Sequence, residues 1–275
     1  MGDQGQDDGE LALHAFTDVD EVEDLAPYVE GLEAFDRLPL LVELKALAIE
    51  RTRTGPGSRV LDVGCGFGLE TLRLAELVGP TGAVTGMDSS ARFVAEAQRR
   101  AAGLGSVEFR HGDAQRLPFA DAAFDVTRAE RVLVYVDDPV HALDEMVRVT
   151  RPGGALALIM PDFGTNSVNV PDVALTRAVL AHEADTSVPH ALLSHDIRAL
   201  LVERGLRNVQ VSSRMVVFDP DLAATYFAGV GQAAGAAGAI DPEQARWWVA
   251  QVAELHAAGR LWAAIGYYLF TADVP

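Results

Sequence analysis

Asp62, Gly64, Gly66 and Gly68 stand in one turn, Val60-Leu61-Asp62-Val63-Gly64-Cys65-Gly66-Phe67-Gly68. Glycines at alternate positions let the backbone approach a ligand closely, and a helix starting behind them offers unpaired N–H groups. Two kinds of cofactor suit such a turn. A dinucleotide wants G-x-G-x-x-G, whose third glycine brings the helix close to a pyrophosphate. Here the spacing is G-x-G-x-G, with Leu69 where that third glycine would stand. Asp62, two residues before the first glycine, would repel a pyrophosphate but suits an ammonium or sulfonium.

The other reactive side chains are few. Cys65 is the one cysteine, which rules out a disulfide framework and a multi-cysteine zinc site. A nucleophilic cysteine needs a partner that lowers its pKa, and none is visible, so Cys65 reads as a small residue packed in the turn. The seven histidines are His14, His111, His141, His182, His190, His195 and His256. The acidic pairs Asp137/Asp138 and Glu183/Asp185 lack a spaced histidine, so no metal is expected.

The turn must be carried by a strand and a helix, and the pattern around it supplies both. Arg59–Val63 is a short apolar run that reads as a strand, and Ala83–Met87, Val107–Arg110, Phe124–Arg128 and Ala155–Met160 read as the strands that follow it. Helical stretches at Glu70–Val78, Ser90–Ala102 and Pro139–Thr150 lie between them, and Arg151-Pro152-Gly153-Gly154 reads as a turn. This is the rhythm of βαβ units in a parallel sheet, with ligands at the carboxyl ends of the strands. Upstream, a helix is expected from about Asp36, stopped by Gly55-Pro56-Gly57. Downstream, Ser194 is expected to cap a helix ending at Gly205. Val209–Phe218 and Leu261–Thr271 read as strands, and 219–260 as Ala- and Gly-rich helix.

The chain has 275 residues and a net charge of −18. Residues 1–36 hold 12 acidic side chains and no Lys or Arg, so the remainder carries only −6. Nucleic acid is an unfavourable partner for such a chain, because phosphate contacts need clustered cations. The stretch Leu222–Ile240 is small-residue helix rather than a membrane span, with Gln232 inside it and Asp at both flanks. A cytoplasmic protein acting on a small molecule, with no nucleic-acid or membrane partner, is expected. Lys45 is the only lysine, which reads as coding bias.

From residues 58 to 161 the chain resembles the class I S-adenosylmethionine-dependent methyltransferases, of the UbiE-like small-molecule type often found beside natural-product pathways. The resemblance rests on D-x-G-x-G-x-G, on Gly86-Met87-Asp88-Ser89-Ser90, on Gly112-Asp113-Ala114, on Phe119-Ala120-Asp121-Ala122-Ala123-Phe124-Asp125, and on Arg151-Pro152-Gly153-Gly154. It implies an α/β Rossmann-like fold: a seven-stranded, mostly parallel sheet with an antiparallel last strand and helical cap insertions. Residues 1–54 would be an acidic arm and helical cap, and 55–275 the methyltransferase domain, with cap insertions at 162–193 and 219–260.

The cofactor implied is S-adenosylmethionine, leaving as S-adenosylhomocysteine. Asp62, Gly64, Cys65 and Gly66 would border it. Asp88 and Ser89 would meet the ribose, Asp113 and Ala114 the adenine, and Arg128 would contribute backbone atoms. Family members often carry histidine where Tyr135 stands, so no role moves to that position, and Tyr135 reads as core or as a residue behind the site. His182 and His190, in the insertion said to roof the substrate pocket, become the candidates for a general base, with Glu183 and Asp185 in the same stretch. Phe16, Tyr28, Phe35, Tyr226, Phe227, Trp247, Trp248 and Trp262 would line or back an apolar pocket. The arm would close as a lid or pack on another subunit of a homo-oligomer. Methyl transfer to oxygen, carbon or nitrogen is the leading expectation. A cyclase or isomerase of the same fold is the alternative, because fold does not fix function.

Overall fold

A computed structural model describes Asp20 and residues 24–275; His14 and Phe16 lie outside it, as does most of the acidic arm. The elements run α1 (Ala26–Asp36), α2 (Pro39–Thr52), β1 (Arg59–Val63), α3 (Leu69–Val78), β2 (Ala83–Asp88), α4 (Ala91–Arg100), β3 (Val107–His111), β4 (Phe124–Glu130) and α5 (Pro139–Val149). Then follow β5 (Thr150–Val168), α6 (Val173–His182), a π-helical turn (Glu183–Ser187), α7 (Ser194–Glu203), β6 (Arg207–Val217), α8 (Pro220–Ala236), α9 (Pro242–Ala257) and β7 (Ala263–Asp273). The seven strands form one sheet in the order β3-β2-β1-β4-β5-β7-β6. Strands β1 to β5 pair in parallel, Asp62 lying opposite both Gly86 and Arg128. Strand β7 is antiparallel: the residue after it, Val274, exchanges backbone hydrogen bonds with Gly153 and Gly154 at the start of β5.

Local chemistry explains where helices begin. Asp138-Pro139, Asp219-Pro220 and Asp241-Pro242 each place an aspartate at the N-cap, accepting from the first turn, and a proline where no N–H is needed. Asp241 adds a capping box with Gln244. Several expectations are corrected. Helix α2 is left through Arg53, at φ 59°, before Gly55 is reached. Ser194 lies inside α7 rather than capping it, the cap being Leu193 with no side-chain bond. Residues 151–154 belong to β5, because their backbone pairs with the chain after β7 instead of turning. Helix α1 carried no sequence signal strong enough to be expected.

The chain divides into two compact units. One comprises residues 39–162, 188–215 and 266–275, the other the residues up to 38, 163–187 and 216–265. In the first, Val60, Leu74, Val78, Val84 and Val126 form an apolar core against which Ile49 packs. Beside it lies a buried charge cluster. Lys45, 4% exposed, stands 3.3 Å from both Glu70 and Glu130. The Arg128 guanidinium donates to Glu130 at 2.8 Å and to Asp62 at 3.0 Å, and the Thr71 hydroxyl donates to the other Asp62 oxygen at 2.6 Å. Burial works to raise the Glu130 carboxyl, but Lys45, Arg131 and Arg128 outweigh it and hold the group at about 2.

In the second unit the Trp248 indole fills the space that Gly231 leaves and donates to the Phe227 carbonyl. Phe35, Phe218, Tyr226 and Phe227 pack edge to face and stacked against one another, so most of these aromatics serve packing. Trp247 and Trp262 are exposed. Glu183, 1% exposed, opens the π turn and accepts from the Tyr226 hydroxyl and, at 2.7 Å, from the Asn166 amide. Burial pushes its carboxyl up to about 7 against those two hydrogen bonds. No described helix is long and apolar enough to cross a membrane.

Two stability measurements follow. Lys45→Met or Arg128→Met leaves buried carboxylates without their cation, and each is expected to cost about 3–5 kcal/mol in urea unfolding, at high salt as at low. The folded Glu183 carboxyl binds its proton more tightly than the unfolded one. Its stabilising contribution is therefore full below about pH 4.5 and lost as pH rises to about 7. Unfolding across that range should show wild type losing about 3 kcal/mol relative to Glu183→Gln.

Candidate active site

The glycine turn leaves β1 and enters α3 with Gly64, Gly66 and Gly68 all at positive φ. A side chain at Gly64 would meet Val132 at 2.1 Å, and one at Gly68 would meet the Phe109 ring at 2.6 Å, whereas Gly66 faces open space. The first N–H groups of the turn are already used. Gly64 and Cys65 both donate to the Met87 carbonyl, at 2.7 and 3.0 Å, and Gly66 donates to an Asp88 carboxylate oxygen at 2.8 Å. A pyrophosphate would find these three donors spent and a carboxylate beside them. A cationic or neutral ligand meets no such obstacle.

A cleft of ≈ 180 Å³ opens at the carboxyl ends of β1, β2, β3 and β4. Val63, Gly64, Asp88, Ser89, Asp113, Ala114, Val132, Tyr135 and Asp137 are among its walls. Asp88 does not cap α4; Ser90 does, accepting from Phe93 at 3.1 Å. Instead one Asp88 oxygen is steadied by the Ser90 N–H at 2.9 Å and the other by Gly66. Asp113 accepts from the Gln115 N–H at 2.8 Å, an Asx turn that fixes its carboxylate at the cleft wall. Tyr135, expected in the core or behind the site, lines the cleft itself.

The remaining expected cofactor residues sit elsewhere. Asp62 and Arg128 are buried in the charge cluster, their side chains bonded to one another, and neither is a wall of the cleft. They brace the turn from behind. The Cys65 thiol packs toward Phe109 and Val94. Burial pushes its pKa well above the ordinary value, and the nearby carboxylates of Asp62 and Asp88 push it further, which disfavours the thiolate.

The histidines separate. His182 has its Nδ1 2.6 Å from the Thr186 hydroxyl, within the aromatic unit. His190 lies in the sheet unit, its N–H donating to the Val134 carbonyl and its Nε2 3.3 Å from the Asp137 carbonyl, beside the cleft wall. His195, passed over in the sequence, has Nε2 2.9 Å from a carboxylate oxygen of Asp162, which is 1% exposed while the imidazole is 58% exposed. Asp162 lies three residues beyond Ile159, the partner of Glu130 at the end of β4, so the pair stands at the carboxyl edge of the sheet. His190 and His195 are joined by the turn that starts α7. No spacing signal links residues 33 positions apart, which is why the pair is invisible in one dimension. Among the described residues no group of three or more His, Cys, Asp or Glu could hold a metal ion.

Known proteins are similar to this chain over part or most of its length. Residues 61–158 match the family model described as a methyltransferase domain. An uncharacterised 37.1 kDa protein in transposon TN4556 of Streptomyces fradiae is 33% identical over 232 residues, 83% of this chain and 66% of that protein. The demethylmenaquinone methyltransferase of Bacillus cytotoxicus is 46% identical over 101 residues, 36% of this chain and 43% of the enzyme. The chain thus matches about two-thirds of the first relative's length and less than half of the second's. Among solved structures, the (4+2)-cyclase SpnF superposes with a TM-score of 0.53 at 26% identity, covering 85% of this chain and 81% of that one. Residues 61–158 of the chain are thus similar to the methyltransferase domain of known methyltransferases.

Proposed function

We propose that the chain transfers the methyl group of S-adenosylmethionine to a small, largely apolar metabolite. The observation that carries this is the cleft at the strand ends, walled by the Asp88 and Asp113 carboxylates beside a glycine turn whose first amides are already paired. Such a cleft accepts ribose hydroxyls at Asp88, an exocyclic amine at Asp113 and a ring nitrogen at the Ala114 N–H. It leaves Gly64 to Gly66, with Ser89 at the rim, to border the rest of the cofactor. Bound S-adenosylmethionine supplies a methyl group already activated by its sulfonium, so the protein need provide no acid for the leaving group. What the chain must supply is alignment of the acceptor and, for a hydroxyl acceptor, a base.

His195 is the base this geometry favours. Asp162 holds its Nε2 and leaves Nδ1 to take the acceptor proton; a buried carboxylate that orients an imidazole also stabilises the cation formed. His190 stands beside the cleft wall at Asp137 and can steady the acceptor. A cytoplasmic setting fits a chain with a single cysteine. The neighbour named as a (4+2)-cyclase favours a second reading, in which the fold closes a ring and the cofactor is structural. The two differ in whether S-adenosylhomocysteine accumulates in step with product.

Calorimetry should show micromolar binding of S-adenosylmethionine and S-adenosylhomocysteine and none of NAD. Asp88→Ala should weaken both sulfur ligands by about 1–3 kcal/mol, and near-wild-type affinity in that variant would remove the ribose assignment. With a hydroxyl acceptor in hand, His195→Ala should lower kcat by about 10²–10⁴-fold while S-adenosylhomocysteine affinity holds. A loss below about tenfold takes His195 out of the reaction.

A further inference from the structure

A second cavity, of ≈ 240 Å³, lies between the end of α2, the start of β6 and the end of β7. Because β7 is antiparallel and Val274 pairs with the start of β5, this cavity is at the amino-terminal edge of the parallel strands, opposite the cofactor cleft. Its polar walls are Arg51, Arg53, Asn208, Gln210, Thr271 and Asp273. Both oxygens of Asp273 are taken, one by Arg53 at 2.8 Å and the other by the Asn208 amide at 2.6 Å. Arg51 donates through Nη2 to the Ser212 hydroxyl at 2.7 Å, but its Nη1 is buried with no hydrogen-bond partner among the described residues. The same is true of Oγ1 of Thr271, a residue 3% exposed. Two guanidinium groups thus face one carboxylate, and that carboxylate serves Arg53.

Buried donors without acceptors are costly, and a guanidinium N–H is the costliest kind. Arg53 and Asn208 both hold positive φ, at 59° and 52°, where glycine would be free of strain, so the backbone is held in a rare conformation on two sides of the cavity. The carbonyl end of α2 opposes negative charge here, and the unneutralised guanidinium must outweigh it. We propose that this cavity binds a small oxyanion group, a phosphate or a carboxylate, with Arg51 Nη1 and the Thr271 hydroxyl as its donors. Nothing in methyl transfer requires such a site, and it is separate from the cleft.

The test is thermal unfolding and calorimetry of the whole chain with inorganic phosphate or acetate, against sodium chloride at the same ionic strength. Wild type should show a saturable rise in Tm with at least one of the two anions. A response to phosphate alone identifies a phosphate-bearing ligand, to acetate alone a carboxylate, and to both the shared chemistry. Arg51→Met should weaken anion binding by about tenfold or more, and Thr271→Val, which keeps charge and shape, by about threefold or more. Asp273→Asn should strengthen it, because a repelling charge is removed. S-Adenosylhomocysteine affinity should be unchanged in Arg51→Met. Wild type responding to neither anion beyond the chloride control, or Arg51→Met responding as wild type does, overturns the site. If Arg51→Met does not fold, Thr271→Val decides, and an unchanged response there overturns it equally.

Discussion

Three carboxylates and two cations out of reach of water hold the glycine turn in place. Asp62 and Arg128 face each other across adjacent parallel strands, Glu130 ends the second of those strands, Glu70 lies in the first turn of α3, and Lys45 reaches in from α2. Removing any one member strands an opposite charge in a medium of low polarity, so the members constrain one another. The pairs join β1, β4, α2 and α3, the elements whose mutual position sets the glycine turn. The turn can then be thin and side-chain-free on the ligand face, because its rigidity comes from behind.

That arrangement also sets which ligand charge the turn tolerates. Phosphate-binding turns keep their amides unpaired and aimed outward. Here the Met87 carbonyl and the Asp88 carboxylate take the first three. The same Asp88 that consumes the Gly66 N–H faces the cleft, so one side chain both denies the turn to an anion and offers acceptors to hydroxyl donors. The paired amides thus set the turn apart from a dinucleotide-binding one by hydrogen bonding as well as by glycine spacing.

Strands β1 and β2 were legible because their buried residues, 60–63 and 84–87, form short, mostly apolar runs between helical stretches, and the Asp-Pro helix starts carry their own local chemistry. The cleft was legible for a related reason: Gly64, Asp88 and Asp113 sit at strand ends, and strand ends can be read. What stayed hidden was tertiary. Asp62 lies two residues from a glycine and reads as a ligand group, yet the opposing Arg128, 66 positions away, determines what it touches. Asp162 and His195 form a pair only because the chain returns to the sheet edge at α7. Residues 151–154 look like a turn until the chain after β7 supplies their backbone partners.

The lysine that looked like an accident of codon usage has a further consequence. A primary amine that is 4% exposed and flanked by two carboxylates is sheltered from acylating reagents while α2 stays seated. Since the chain has no other lysine, side-chain amine labelling has a single address, and its rate reports how often that helix lifts from the sheet. The molecule therefore carries an intrinsic clock for local opening at the element that braces its glycine turn.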